Sequence, residues 1–204
     1  MKCGRTSILG SRCRSVSGLA RHVSVRWVAI GYVLASCLFC MTAASAARTP
    51  GEVAVGEVLR DATLTGLNGP SRKISDFRGK PLIINVWASW CGPCRMEMAS
   101  LERLAWRDPI GQFNVIGIST DDYPENANAF LKQSNATINH FVDHALQMEN
   151  MLGASTIPLT VLVDAQGRVV DKVYGAQQWD GPEAVSLIRR TFRNPKILSS
   201  ARTQ

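Results

Sequence analysis

A short apolar run followed directly by a helix-like repeat is the clearest pattern along the chain. Residues 82–87 read Leu-Ile-Ile-Asn-Val-Trp, which is rich in β-branched residues and predicts a strand buried on both faces. Beyond it, apolar or small residues recur at spacings of four, three and four, as on one face of a helix. They are Cys94, Met98, Leu101 and Ala105. The pattern therefore predicts a strand-to-helix junction just before residue 94.

Strands and helices continue to alternate along the rest of the chain, which predicts an α/β protein. The predicted elements are an extended region at 59–73 with a turn at 68–69, a helical turn at 75–79, a strand at 113–119, helices at 124–134 and 144–152, a β-hairpin at 159–174 and a closing helix at 182–192. The predicted organisation is a leader at 1–47, a linker at 48–58, a folded domain at 59–193 and a flexible tail at 194–204.

Residues 1–47 have the pattern of an export signal. A basic segment precedes an uncharged stretch at 27–47 that ends in small residues, as in a secretory signal with an Ala-x-Ala-like cleavage site. The stretch is also about as long as the ~20 residues that span a bilayer, so a retained anchor is an alternative. Segment 34–37 resembles a lipobox, which makes lipidation at Cys37 a further alternative. We expect a secreted or periplasmic protein, or one anchored to the inner membrane and facing the periplasm.

The positive charge of the chain is concentrated in this leader. The net charge is +7, but residues 1–47 hold six basic and no acidic residues, which leaves 17 basic and 16 acidic residues in the remainder. Nucleic-acid binding needs several clustered cations on one face. The nearly neutral domain is therefore not expected to bind nucleic acid.

The cysteines indicate redox chemistry. Four of the six cysteines lie in the leader, so the domain keeps only Cys91 and Cys94, which are too close together to staple distant parts of a fold. Cys91 would precede the first helical turn, where free N–H groups and the helix dipole lower a thiol pKa from about 8.5 toward roughly 7. Cys91 is then the nucleophile and Cys94 the resolving thiol. Pro93 suits the first turn because its missing N–H needs no partner there.

Metal binding is the alternative use of a Cys-x-x-Cys pair. Structural zinc takes four ligands, and the domain adds only His140 and His144, which we interpret as surface or capping residues. Copper(I) is less easily set aside, because Met96 and Met98 bring soft sulfur near the thiols. Met98 shares the apolar helix face, however, and is expected in the core. We predict no metal site and no cofactor.

Residues 86–94, Val-Trp-Ala-Ser-Trp-Cys-Gly-Pro-Cys, resemble the active-site strand and motif of thioredoxins, and residues 95–98 extend the match toward the TlpA/ResA-type disulfide reductases. The resemblance covers about residues 56–190. It implies a thioredoxin fold, which is a central mixed sheet flanked by helices, with an extra N-terminal β-hairpin. In that fold Pro158 is cis and faces the cysteines. It also implies that Trp90 covers the disulfide, and that Pro93, Ile157 and Pro158 contribute to binding of an extended client segment.

Glu97 departs from the thioredoxin pattern. Thioredoxins carry a buried aspartate on the strand before the motif, where this chain has Asn85, which cannot titrate. Glu97 lies three residues after Cys94, and its helical neighbours include no cation that would pair with it. We therefore predict that Glu97 assists proton transfer at Cys94.

The function expected from these features is the reduction of disulfides in exported proteins through the Cys91/Cys94 couple. The Gly-Pro pair between the cysteines resembles that of the reducing family members. The resemblance implies electrons from a membrane thiol transporter, and clients such as apocytochrome c or copper-centre assembly proteins. The alternatives are a copper-delivery or client-binding module without turnover, and a thiol peroxidase. The residues before Cys91 do not supply the Pro-x3-Thr/Ser segment that a peroxidase requires.

Overall fold

The computed structural model describes residues 49–107 and 112–193. The elements are β1 (Thr63–Gly66), β2 (Arg72–Lys73), a 3-10 turn (Ile74–Phe77), β3 (Leu82–Trp87), α1 (Gly92–Trp106), β4 (Asn114–Ser119), α2 (Pro124–Gln133), β5 (Asn139–Val142), α3 (Gln147–Leu152), β6 (Leu159–Val163), β7 (Val169–Tyr174) and α4 (Pro182–Arg193). The predicted leader, its alternatives at Cys37, and the predicted tail lie outside the described residues. Within the described ranges, no helix has the length and apolar character needed to span a bilayer.

All seven strands belong to one mixed sheet, in the order β2-β1-β5-β4-β3-β6-β7. β3 is parallel to β4 and antiparallel to β6, and β6 and β7 form the antiparallel hairpin predicted for this region. β5 runs parallel to β4, and β1 pairs antiparallel with both β5 and β2. The mixed sheet with flanking helices is confirmed.

β3 is buried along its whole length, as its sequence predicts, and its side chains alternate between the two faces of the sheet. Ile84 and Val86 belong to one core cluster, which also includes residues of α3. Ile83 and Trp87 belong to clusters on the other face, where α1 packs. Asn85 shares this second face and is therefore directed toward α1, with a hydrogen bond to that helix.

The segment predicted as a linker, 48–58, packs against the domain at Val53, and Leu59 directly after the segment does the same. Val53 and Leu59 are 1% and 2% exposed and belong to the main core cluster. The Val53 N–H donates to the Met151 carbonyl and the Leu59 N–H to the Gly167 carbonyl, each at 2.8 Å. These contacts attach the segment to the end of α3 and to the β6–β7 hairpin.

His140 is buried, so its interpretation as a surface or capping residue is wrong. It lies on β5 opposite Gly117 of β4, and it is 0% exposed. Glycine is required there, because a Cβ at residue 117 would lie 2.1 Å from His140 Nδ1. The ring packs edge-on against Trp87 with centroids 5.4 Å apart. Burial lowers the pKa of His140 to about 3, so the imidazole is neutral in the folded protein.

We predict that His140 makes the fold sensitive to acid. The unfolded chain binds a proton near pH 6.5 that the folded chain accepts only near pH 3, so the stability contributed by neutral His140 is lost as pH falls between these values. Between pH 7.5 and pH 4 the wild type should lose about 3 kcal/mol more free energy of unfolding than His140→Leu. Urea unfolding at both pH values measures this difference, with exposed His144→Gln as the control. Equal losses in wild type and His140→Leu would contradict the assignment.

Candidate active site

Cys91 is the residue at which β3 gives way to helix α1. After β3 ends, a tight turn forms in which the Cys91 N–H donates to the Ala88 carbonyl at 3.1 Å. Cys91 then serves as the N-cap of α1, and its Sγ accepts the Cys94 N–H at 3.2 Å. Pro93 lies in the first turn, where its missing N–H needs no partner. The predicted strand-to-helix junction is confirmed, and it holds a sulfur where the helix dipole favours a thiolate.

The two cysteines are joined in a disulfide, and they differ in access to solvent. Cys91 is 6% exposed, whereas Cys94 is 0% exposed and packs among Trp87 and Met98. Of the two residues, only Cys91 therefore keeps some contact with solvent. This asymmetry suits Cys91 to attack a client and Cys94 to attack within the protein.

The segment before β6 lies beside the cysteine pair. The Ile157–Pro158 peptide bond is cis, as the resemblance implied. Ile157 is half-buried against the cluster that contains both cysteines, and the Pro158 carbonyl accepts the Gly175 N–H at 2.9 Å. Trp90 is 71% exposed next to Cys91. Ile157 therefore packs against the cysteine cluster, while Trp90 is exposed beside Cys91 in the sequence.

Glu97 is a buried carboxyl surrounded by donors from several parts of the chain. It is 2% exposed, and its oxygens accept from Asn85 Nδ2 at 2.7 Å, the Gln177 N–H at 3.0 Å and Trp179 Nε1 at 3.1 Å. Burial raises the pKa of Glu97 above its usual 4.5, and the three hydrogen bonds partly oppose that rise. Glu97 lies one helical turn after Cys94, and it contacts β3 and the β7–α4 connection at the same time.

The β7–α4 connection is a part of the site that the sequence did not indicate. In addition to the donors from Gln177 and Trp179, the Trp179 N–H donates to Ser100 Oγ at 3.0 Å. Ser100 follows Glu97 by three residues, so both lie on one side of α1. No sequence spacing links residues 97 and 177, since only the tertiary fold brings them together. The one signal available in the sequence was that Glu97, on a helix that packs against the sheet, has no cation at helical spacing.

Asp121 is a second buried carboxylate that sequence reasoning missed. It is 2% exposed and follows the end of β4. One oxygen accepts the Ser89 N–H at 2.8 Å and Ser119 Oγ at 2.7 Å, and the other accepts Ser89 Oγ at 2.6 Å. Asp121 therefore ties the β4–α2 loop to the turn that carries Cys91. Because β3 and β4 are parallel, the residues that follow them lie at the same edge of the sheet. This rule was the signal in the sequence that could have placed Asp121 near the turn before Cys91.

The two methionines considered as copper ligands lie in different environments. Met98 is 2% exposed within the core, as predicted, whereas Met96 is 73% exposed on the surface of α1. In the part of the chain that the structure describes, no group of three or more His, Cys, Asp and Glu residues is arranged to hold a metal ion.

Comparison with known proteins identifies the family of the chain. The profile of the Redoxin family matches residues 54–188. The thiol-disulfide oxidoreductase ResA of Geobacillus thermodenitrificans is 30% identical over 126 residues, which cover 60% of this chain and 71% of the relative. ResA of Geobacillus kaustophilus is 28% identical over 147 residues, which cover 72% of this chain and 80% of the relative.

A solved structure from Chlorobium tepidum, provisionally named thiol:disulfide interchange protein DsbE, superposes with a TM-score of 0.63 and 26% identity. The alignment covers 68% of this chain and 98% of that one. Fold, site and relatives agree on one class, the thioredoxin-like protein-disulfide oxidoreductases. Within that class the chain belongs to the Redoxin family as a TlpA/ResA-type member, which confirms the family resemblance found in the sequence.

We predict that Asp121→Ala both destabilises the fold and slows disulfide reduction. The substitution leaves the partly buried Ser89 N–H without its acceptor, which should lower the free energy of unfolding by about 1–3 kcal/mol. Urea unfolding and the rate of insulin reduction measure the two effects. Asp122→Ala is the matched control, because Asp122 is the exposed neighbour. If both variants behave alike, Asp121 does not hold the turn.

Proposed function

We propose that this protein reduces disulfides of exported client proteins, with Cys91 as the attacking thiol and Cys94 as the resolving thiol. The observation that carries the proposal is the position of Cys91, an N-cap residue that keeps slight access to solvent (6% exposed) and is paired with a fully buried Cys94 (0% exposed). The membership of the chain in a family of thiol-disulfide oxidoreductases supports it.

The reaction proceeds by two thiol–disulfide exchanges. The Cys91 thiolate attacks one sulfur of the client disulfide, which forms a Cys91–client bond and releases the first client thiolate. Cys94 then loses its proton and attacks Cys91 Sγ, which forms the Cys91–Cys94 disulfide and releases the second client thiolate. The client gains two electrons and the enzyme becomes oxidised. The released thiolates take up protons from solvent and from the group that deprotonated Cys94.

Glu97 is the group that we propose accepts the Cys94 proton. It lies one turn after Cys94 on α1, and its burial gives it a raised pKa, so that it can exchange a proton closer to neutral pH than an exposed carboxyl would. As a carboxylate it accepts the proton, and as a carboxylic acid it returns the proton to the departing client thiolate. Glu97 thereby takes the role that a strand aspartate has in thioredoxins.

We propose that the client binds as an extended segment across Trp90, Pro93, Ile157 and Pro158. Trp90 and Pro93 are exposed at the start of α1, and Ile157 packs beside the cysteines. A client strand would pair with the backbone at Ile157 while its disulfide meets Cys91.

The proposed location is the periplasmic side of the inner membrane. The leader at 1–47 would deliver the domain at 59–193, either cleaved or retained as a tether. An oxidising compartment requires a source of electrons, so the oxidised enzyme would be reduced again by a membrane thiol transporter. The family resemblance found in the sequence suggests clients in cytochrome c or copper-centre maturation.

We predict that Glu97→Gln removes one limb of the pH profile of disulfide reduction. In the wild type the rate should fall as pH drops through the raised pKa of Glu97, because the acid form cannot accept the Cys94 proton. The variant should lack this fall in rate. At pH values above the Glu97 pKa it should react about 100-fold more slowly than the wild type. Insulin reduction measured across pH tests this, with Glu102→Gln on the same helix as control. An unchanged profile in Glu97→Gln would exclude the proton-transfer role.

We predict that Cys94→Ser, expressed with the native leader, accumulates mixed disulfides between Cys91 and its clients. Without the resolving thiol the first exchange cannot proceed to release, so covalent complexes should appear on non-reducing gels and disappear on reduction. Mass spectrometry of the complexes identifies the clients, and Cys91→Ser is the control that should trap none. Absence of any complex, while Cys91 still reacts with a small alkylating agent, would contradict a reductase with protein clients.

A further inference from the structure

Only one of the two polar atoms in the Asn85 side-chain amide has hydrogen-bond partners. Asn85 is 0% exposed, and its Nδ2 donates to Glu97 Oε1 at 2.7 Å and to Thr160 Oγ1 at 3.1 Å. Its Oδ1, equally buried, has no hydrogen-bond partner among the described residues. A buried carbonyl without a donor is unfavourable, so this orientation needs a reason. The ionised state of Glu97 explains this orientation.

The observed orientation fits only the ionised form of Glu97. A carboxylate accepts hydrogen bonds, whereas a carboxylic acid must also donate one. The Gln177 backbone N–H and Trp179 Nε1 are donors and cannot accept a proton from it. Asn85 is the partner of this carboxyl that carries an acceptor, and its acceptor is the unpartnered Oδ1.

Rotation of the Asn85 amide by about 180° would provide the acceptor that the neutral form needs. Oδ1 would then accept from the Glu97 carboxylic acid and from the Thr160 hydroxyl, which can donate as readily as it accepts. Two hydrogen bonds are made in either orientation, and one amide atom is left over in either. Asn85 therefore offers Glu97 a hydrogen bond in either charge state, and it leaves one carbonyl acceptor unpaired in the first orientation and two N–H donors unpaired in the second.

We propose that Asn85 turns its amide over each time Glu97 gains or loses its proton, and so acts as the positioning residue for that carboxyl in both charge states. The inference rests on the proposed role of Glu97 in turnover. It gives a physical reason for asparagine at this position, because an aspartate would set a second carboxylate against Glu97. A residue able only to donate would hold Glu97 in its ionised form.

The charged groups on the elements around Glu97 are engaged elsewhere. On the β7–α4 connection, Asp180 pairs with Arg103 and Arg107 of α1 and its continuation. On β7, Lys172 pairs with Glu52, and the Asp171 carboxylate accepts the Lys172 N–H. On α1 itself the titratable neighbour is Cys94, which is the group whose proton Glu97 exchanges. Burial is the largest influence on the pKa of Glu97.

Solution NMR of the full chain with its Asn side-chain amides labelled tests the proposal. The carboxyl ¹³C shift of Glu97 reports its protonation, and NOEs from the Asn85 amide protons report the orientation. We expect NOEs to the Glu97 methylene and the Thr160 methyl at high pH, and their loss in step with the Glu97 titration. In Glu97→Gln the Asn85 NOEs should no longer depend on pH.

Three results would overturn the proposal. The first is a Glu97 titration with unchanged Asn85 NOEs, and the second is a Glu97 carboxyl that stays ionised wherever the protein is folded. The third is an Asn85 reorientation that persists in Glu97→Gln. The pH profile of insulin reduction separates this inference from the proposed function. The Asn85 amide could rotate with the Glu97 titration while the pH profile of insulin reduction is unchanged in Glu97→Gln. In that case the coupling between the two residues stands and the catalytic role of Glu97 fails.

Discussion

A fully buried strand that turns directly into a helix requires one residue to cap the first helical turn, and in this fold that residue is Cys91. The apolar side chains of β3 fix the position of the strand, and the packing of α1 fixes the helix, so the sulfur between them has little freedom. Free N–H groups at the start of a helix favour negative charge. The same constraint that builds the core therefore holds the reactive atom where a thiolate is favoured.

Two buried carboxylates keep this junction in place from opposite sides. Asp121 binds the turn before Cys91, and Glu97 binds β3 and the β7–α4 connection from the helix after it. An ionised carboxylate is costly to bury unless several donors compensate it, and each of these accepts three hydrogen bonds. They differ in chemistry, because Asp121 is held by a turn and its serines, whereas Glu97 has a raised pKa and an amide partner that suits either charge state.

Local patterns in the sequence were sufficient to predict β3, α1, the β6–β7 hairpin and the cysteine pair, because each depends on residues close together in the chain. The partners of Glu97 could not be predicted in this way, since Gln177 and Trp179 are about 80 residues away and no periodicity relates them. The burial of His140 was missed for a similar reason. Histidine counts as a polar residue in a sequence pattern. Only the pairing of β5 with β4, which sets His140 opposite Gly117, shows that the side chain is buried.

The central claim is that Cys91 and Cys94 act as one reversible two-electron couple. The most direct test equilibrates the protein in dithiothreitol buffers of graded potential, quenches with an alkylating agent and counts labelled sulfurs in the peptide that contains both cysteines. We predict that the two sulfurs become labelled together in one transition, with a slope of about 30 mV per tenfold change in ratio. Labelling of Cys91 independently of Cys94, or failure of the disulfide to form again on reoxidation, would contradict the account.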